Sequence, residues 1–570
     1  MNPPQTKHWR ILRRCLVGLA VCVTLIGLFY TEELWRGKRA WENCKSALEP
    51  KGFNFNWADY IPAPVPDNEN VFGVPEMQKW FVGRGATELS KKMSYPLFDC
   101  WTNSMVVAEV TIGLPGMPAP GGSVVLRWDD PASRTEAVRL LTNALGPTAN
   151  APQSARGIGF MLRRPEEIRV ARIFLQCQTA PTQKELQGFL PDHVLDDPLY
   201  LQADGDGSYH VTVTMLARAA DYLAWSEQLE PQFAVIRQAL QHPYARMQGN
   251  YAEREEIPVP NFVTMRTLAQ TLGARAQCHF LLGQPEEALR DLTLINDSCR
   301  PILEENKPMT LLGAMINVAV RGLYAAQIDD GIRLQAWREP QLAALEEQLK
   351  QINILPPVER SFQLEGLLTC HALETMAPAR VVELLLNLDQ PGRKLTSWEA
   401  WKRSILIKLF PRGWVYQNLA AGTKLRPNAI ASLDPDSQTV FPDKIAAYQK
   451  QADALGAHWS PYTFAVIRWA PNFSKACQTT ARNQTKINQA LIACALERYH
   501  LAHGEYPETL DALIPQFIAT IPHDVIGGQP PHYRRAADGT FLLYSIGWNG
   551  RDNGGVRGKS ATDGDWVWPN

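Results

Sequence analysis

Residues 7–30 read KHWRILRRCLVGLAVCVTLIGLFY, and this stretch decides the architecture of the chain. An uncharged apolar run extends from Cys15 to Tyr30. Four basic residues precede it: Lys7, Arg10, Arg13 and Arg14. The run is shorter than the ~20 residues of a typical membrane span, but arginine side chains before it can reach the headgroups and Trp35 can lie at the far interface. The pattern predicts an N-terminal transmembrane helix.

The basic flank also predicts the orientation of that helix. Positive residues favour a cytoplasmic N-terminus, which places Thr31 and everything after it beyond the membrane, in the periplasm. A cleaved signal peptide is the alternative, but no small-x-small cleavage site follows the apolar run. We therefore expect an uncleaved, single-pass anchor in a bacterial inner membrane. The first unit, 1–45, then comprises a cytoplasmic tip, the anchor and an exit helix.

Length and composition limit what the rest of the chain can be. A chain of 570 residues is expected to form two to four folding units, and 45% hydrophobic with 20% charged residues is globular composition. The net charge of -1 and the lack of long basic runs argue against nucleic acid as a partner. Ten cysteines without a C-x-x-C pair argue against a zinc site and leave disulfides or burial open. We expect Cys494 to be buried.

The second unit, 46–210, is expected to be a proline-rich spacer followed by a small α+β module. Alternating prolines in Ile61–Pro66 favour an extended, polyproline-like backbone. Short β-branched stretches predict four strands, with a Gly/Pro loop at 113–122 between the first two. The predicted strands are Met105–Ile112, Ser123–Trp128, Ile168–Leu175 and Tyr209–Met215.

The third unit, 211–455, is predicted to be an all-helical array. Apolar residues recur at helical spacing up to Phe280, and Gly283 interrupts this pattern. Pro285 followed by two glutamates is typical of the first turn of a new helix, so the stretch indicates a helical hairpin. The segment Gly283–Leu289 resembles the turn and second helix of a tetratricopeptide unit, but the motif does not recur at the period of that repeat family. An irregular stack of antiparallel helices is therefore the favoured alternative. The further stretches predicted to be helical are Met309–Ile328, Pro340–Ile352, Phe362–Leu388 and Trp398–Phe410.

The last unit, 456–570, starts with a predicted long helix from Tyr462 to His503 that ends at Gly504. An ordered set of short motifs follows it: Tyr506-Pro507, Pro522-His-Asp524, Gly527-Gly-Gln-Pro530 and Tyr544-Ser-Ile-Gly-Trp-Asn-Gly550. Together they resemble the globular domain of the major pseudopilin of type II secretion. The resemblance covers about a fifth of the chain and implies a pseudopilin-like α+β fold.

The resemblance also implies a calcium site in the loop after Ser545. Calcium takes six to eight oxygen ligands, and glycines in this loop allow backbone carbonyls to contribute. The candidate side chains are Asn549, Asp552, Asn553, Asp563 and Asp565. An amide at position 549, where pseudopilins have an aspartate, removes one charge and is expected to weaken binding. A polar, glycine-rich loop without an ion is the equal alternative.

The N-terminal segment departs from the pseudopilin pattern. Pseudopilins carry a glutamate five residues into the membrane helix, whereas no glutamate lies between Cys15 and Tyr30. We therefore expect that the chain is not processed and assembled as a pseudopilin.

No sequence motif indicates a catalytic site. The G-x-S-x-G, P-loop and H-E-x-x-H motifs are absent, as is a complete dinucleotide fingerprint. The sequence therefore favours a non-catalytic envelope protein that offers a helical surface to an unknown protein partner. Two alternatives remain open: an accessory component of a secretion or pilus-like system, and an unrecognised envelope hydrolase.

Overall fold

The fold is described from a computed structural model of the full chain. The described residues are 5–93, 109–111, 167–177, 201–203, 209–251, 256–303, 310–375, 378–385, 396–457, 460–464, 466, 472–558, 560 and 562–569. The predicted strand Ser123–Trp128 and the predicted loop at 113–122 lie outside these residues.

Helices form most of the described structure, which confirms a mainly α architecture. They are α1 Gln5–Leu48, α2 Pro75–Phe81, α3 Glu88–Lys92, α4 Ala219–Ser226, α5 Glu230–Ala239, α6 Phe262–Leu281, α7 Pro285–Ser298, α8 Arg300–Leu303, α9 Leu311–Arg333, α10 Glu339–Leu349, α11 Leu355–Thr375, α12 Pro378–Leu385, α13 Ser397–Leu409, α14 Arg412–Ile430, α15 Pro442–Ala457 and α16 Phe473–His503.

Three small antiparallel sheets accompany the helices. The first contains β1 Glu109–Thr111, β2 Glu167–Cys177, β3 Leu201–Ala203 and β4 Tyr209–Arg218, in the order β1-β2-β4-β3. The second is the hairpin of β5 Leu433–Asp434 and β6 Thr439–Val440. The third contains β7 His532–Arg535, β8 Phe541–Ser545 and β9 Trp566–Val567, in that order. Three of the four predicted strands therefore contain or overlap strands of the first sheet.

Local sequence signals are confirmed at the hairpin between α6 and α7. The backbone of Gly283 has φ +70°, a conformation that glycine adopts without a steric penalty, and Pro285 starts the next helix. Inside the hairpin, the buried Arg275 donates to Asp291 over 2.9 Å. Helix α9 packs against both helices of this hairpin.

Two predicted helices differ clearly from the structure in where they begin or end, and α9 also continues five residues beyond the predicted Ile328. The long C-terminal helix begins at Phe473 instead of Tyr462, with the Asn472 side chain accepting the Lys475 N–H at 2.9 Å as its N-cap. It ends at the left-handed Gly504, as the sequence predicts. The stretch Phe362–Leu388 contains parts of two helices, α11 and α12, and Pro378 starts the second because proline suits only the first turn of a helix.

Helix α16 joins the C-terminal sheet to the helical array within one continuous core. Its buried Gln484 side chain accepts the Ile354 N–H and donates to the Ile352 carbonyl, at 2.9 and 3.2 Å. Gln489, one turn later, donates to the Trp566 carbonyl in β9 over 2.8 Å. Two buried amides on one helix thus bind the last strand on one side and the array on the other.

The six buried cysteines with described side chains belong to the interior packing. Cys494 is fully buried, as expected, and none of the eight cysteines whose side chains are described forms a disulfide. Burial raises the pKa of the Cys477 thiol to about 12, so this group stays protonated and unreactive at neutral pH.

Helix α1 packs against α14 at a glycine contact. A Cβ atom added at Gly413 would overlap the carbonyl oxygen of Glu33, and one added at Gly37 would overlap the backbone of Gly413. Only glycine at both positions lets the two backbones approach this closely.

We predict that Gly413→Ala lowers the free energy of unfolding by about 2 kcal/mol, because α1 and α14 must separate to accept the methyl group. Gly422→Ala in the same helix is the matched control, since its Cβ would lie 3.8 Å from the nearest atom of Val466. The control should raise stability by up to ~1 kcal/mol. Equal unfolding midpoints for the two variants in a urea titration would contradict the tight helix contact.

Candidate functional site

The C-terminal loop after β8 contains the five residues predicted to bind calcium. Asp565 is 2% exposed, and its carboxylate accepts the backbone N–H groups of Asn553 at 3.1 Å and Gly555 at 2.7 Å. The structure therefore brings Asp565 and Asn553 together. In this contact the aspartate fixes the path of the loop, because it satisfies two backbone donors that would otherwise lack partners.

Asn549 and Asp552 also bind backbone groups of the same loop. The Asn549 side chain accepts the Arg551 N–H at 2.9 Å and donates to the Asn553 side chain over 3.1 Å. Asp552 accepts the Gly554 N–H at 2.8 Å and the Tyr544 hydroxyl at 3.1 Å. These donors lower the pKa of Asp552, with the Gly554 N–H as the main cause, so this exposed side chain is anionic at neutral pH.

Asp563 lies in a separate turn of the loop. Its exposed carboxylate accepts the Ser560 hydroxyl at 3.2 Å. Among the residues that the structure describes, no group of three or more histidine, cysteine, aspartate or glutamate side chains is placed to hold a metal ion. The donor chemistry still suits a hard cation, because the loop presents two exposed carboxylates, Asp552 and Asp563, beside amide and carbonyl oxygens.

Asp524 holds the start of the loop, a role that was not predicted from the sequence. Its buried carboxylate accepts the Ser545 hydroxyl at 2.7 Å, the Ile546 N–H at 3.0 Å and the Ile526 N–H at 2.9 Å. Burial nevertheless raises the pKa of Asp524. This contact joins the Pro-x-Asp and Tyr-Ser-x-Gly motifs, so the signal for it was present in the sequence.

A second buried carboxylate, Asp329 in α9, was also missed. It accepts the indole N–H of Trp568 at 2.6 Å, across 239 residues of sequence. Burial, with a smaller contribution from the neighbouring Asp330, raises the pKa of Asp329 to about 8. The predicted helix ends at Ile328, directly before Asp329. A carboxylate at the end of a helix is ordinarily exposed, so the sequence did not indicate that Asp329 is buried.

A third group of contacts joins the N-terminal helix α1 to the body. Glu33 of α1 is 4% exposed and accepts the Trp414 indole N–H at 2.9 Å and the Tyr462 hydroxyl at 3.2 Å. Arg36, one turn later, completes the group with a 3.0 Å ion pair. A buried carboxylate with a cation and two neutral donors is fully compensated, so it specifies how α1 seats in the body.

Apolar packing extends this junction along the second half of α1. Trp41, Cys44 and Leu48 are buried in one cluster with three residues of α14: Val415, Leu419 and Ala420. The Cys44 thiol also lies 3.6 Å from the Ala420 carbonyl oxygen. The exit helix that the sequence predicts is therefore continuous with the apolar run and is packed against the body along its length.

We predict that the stability of the chain depends on pH through Asp329. Its folded pKa of about 8 exceeds the ordinary unfolded value near 3.9, so the folded state binds the extra proton between these limits. The free energy of unfolding should therefore fall as pH rises from 5 to 7.5, by up to ~1.4 kcal/mol per pH unit from this group.

Urea titrations across this pH range would measure the slope, which should be smaller in Asp329→Asn because the amide does not titrate. Asp511→Asn, at an exposed carboxylate, should keep the native slope. The range stops below pH 8 because burial lowers the pKa of Lys486 to about 8, which adds a dependence of opposite sign above that pH. Equal slopes for the native chain and Asp329→Asn would contradict the assignment.

The chain has no match among protein-family models, curated proteins or solved structures. The function proposed below therefore depends on the contacts described above.

Proposed function

We propose that this chain is a non-catalytic, membrane-anchored envelope protein whose helical body binds a protein partner close to the membrane. The observation that supports this most directly is the division of α1 into two parts. Its first part is apolar and exposed up to Phe29, and its second part is packed into the body from Glu33 to Leu48.

The exposed part of α1 has the properties of a membrane span. Its large apolar side chains between Leu16 and Phe29 are 47–62% exposed. A soluble monomer rarely exposes a contiguous apolar surface of this extent, whereas lipid would cover it on all sides. Among the described helices, α9 is also long and apolar enough to cross a membrane, but 72% of its most apolar window is buried inside the protein.

The orientation and the compartment follow from the charges at the ends of the span. The basic residues before Cys15 favour a cytoplasmic N-terminus, so the body would lie in the periplasm of a bacterial inner membrane. The stacked helices α6 to α11 would then offer an extended surface to another envelope protein. This arrangement needs no bound cofactor.

We predict that the expressed full chain remains in the membrane pellet after alkaline carbonate extraction. The double variant Leu19→Lys/Leu25→Lys should move into the soluble fraction, because each lysine at the centre of a span costs about 3 kcal/mol. Leu282→Lys/Leu501→Lys, which also changes two exposed leucines but lies in the body, is the matched control and should stay in the pellet.

The same cells test the orientation. Protease added to spheroplasts should degrade the body if it lies in the periplasm, and should leave it intact if it lies in the cytoplasm. Recovery of the native chain in the soluble fraction would overturn the anchor and the location together.

A second candidate function is an accessory role in a type II secretion or pilus-like system. The observation in its favour is the buried contact of Asp524 with Ser545, because it joins two of the motifs that carry the pseudopilin resemblance. In this role calcium would bind the C-terminal loop, with Asp552 and Asp563 as its carboxylate ligands and Asn549, Asn553 or backbone carbonyls beside them. Asp565 would hold the loop in shape.

We predict that calcium at 1 mM raises the melting temperature of the full chain relative to a chelator, because an ion that binds only the folded state stabilises it. The double variant Asp552→Asn/Asp563→Asn should lose this response. Asp511→Asn/Asp538→Asn, at two exposed aspartates outside the loop, should keep it. Equal melting temperatures of the native chain with and without calcium would contradict the proposed calcium site.

A further inference from the structure

Helix α13 presents an apolar face to solvent beside the proposed span. This tryptophan face comprises Trp398, Trp401, Ile405 and Leu409. Trp398, Trp401 and Leu409 are 58, 53 and 59% exposed, and Ile405 is also exposed. At 100° per residue the four positions fall within about 80° of the helix circumference, so they form one continuous stripe.

Lysines border the tryptophan face on both sides. Lys402 and Lys408 are exposed and lie on opposite edges of the stripe. The Lys402 ammonium lies 4.9 Å from the centre of the Trp398 ring, and the Trp398 and Trp401 rings are stacked with centres 4.7 Å apart. Apolar and aromatic residues between flanking lysines are typical of helices that lie at a membrane surface.

The opposite side of α13 contacts the neighbouring helix α12. Arg403 forms a 3.0 Å ion pair with Glu383 of α12. At the start of the helix the Thr396 side chain accepts the Glu399 N–H at 3.3 Å, and the Glu399 carboxylate accepts the Thr396 N–H at 2.9 Å. The only carboxylate of α13 is thus engaged in a capping box.

The end of α13 lies where the span leaves the proposed bilayer. The hydroxyl of Tyr30, the last residue of the apolar run, donates to the backbone carbonyl of Leu409. Three residues later α14 begins, and its Gly413 packs on Glu33 of α1. Leu409, at the C-terminal end of the tryptophan face, therefore lies next to the residue that ends the apolar run of α1.

We propose that α13 lies in the interfacial layer of the phospholipid bilayer on the side of the body, with its tryptophan face in the lipid. The inference rests on the proposed function, since it requires α1 to span the membrane. Trp398 and Trp401 would occupy the headgroup region, where amphipathic indole rings are favoured. Lys402, Lys408 and the exposed Arg412 would reach anionic phosphates. The body is then held at two points and cannot swivel about α1.

Tryptophan quenching by lipid tests this placement. The full chain is reconstituted into nanodiscs of phosphatidylethanolamine and phosphatidylglycerol, with acyl chains either brominated near the carbonyl or unbrominated. Three proteins are compared: the native chain, Trp398→Phe/Trp401→Phe, and Trp9→Phe/Trp35→Phe. The last is the matched control, because Trp9 and Trp35 are exposed near the two ends of the span.

If α13 lies in the lipid, four exposed tryptophans are quenched, and each double variant should lose about half of the bromine-dependent quenching. If Trp398→Phe/Trp401→Phe keeps the native quenching while the control loses all of it, the anchor stands and the proposal for α13 is overturned. Absence of quenching in all three proteins would overturn the anchor as well.

A second copy of the chain is the competing occupant of the tryptophan face. If Trp398→Phe/Trp401→Phe converts a dimer in the nanodisc into a monomer without changing the quenching, the face binds protein and the lipid proposal fails. The melting temperatures of the native chain and both double variants should be equal. The differences in quenching then report the positions of the tryptophans and not unfolding of a variant.

Discussion

The packing of α1 on α14 is the constraint on which the arrangement of the molecule depends. The close approach of Gly37 and Gly413 leaves one relative position for the two helices, and Glu33 specifies the depth at which α1 seats. Because α1 is one unbroken helix from Gln5 to Leu48, the direction of its apolar half is set by the packing of its second half. A hinge at residue 31 would let the body move relative to the apolar half of α1. A continuous helix does not allow this movement.

The C-terminal region depends on a different set of contacts. Helix α16 lies between the array and the third sheet, and the buried Gln484 and Gln489 bind backbone groups on both sides. Trp568 adds a contact to Asp329 of α9. Residues 456–570, which carry the resemblance to a pseudopilin domain, therefore share one hydrophobic core with the helical array.

Features governed by neighbouring residues were predictable from the sequence. The apolar run, the turn at Gly283 and the end of α16 at Gly504 each depend on a few adjacent residues. The contact of Glu33 with Trp414 joins residues 381 apart, and no local pattern indicates it. In the C-terminal loop, composition suggested cation ligands, but acidic residues in a glycine-rich loop also bind the backbone of that loop. Asp565 binds the backbone of the loop in this way. Whether an aspartate is free to bind a cation or is bonded to the backbone depends on the three-dimensional course of the loop, which the composition does not give.

The same separation along the chain has a consequence for biosynthesis. The ribosome makes Glu33 381 residues before Trp414 and 429 residues before Tyr462. At about 5 to 20 residues per second, that interval is roughly 20 to 80 seconds. Throughout it Trp41, Cys44 and Leu48 lack the helix that later covers them. The first helix to be synthesised is thus among the last to reach its packed position. Until α14 has been synthesised, the apolar surface of α1 stays exposed in the nascent chain and has to be protected from aggregation.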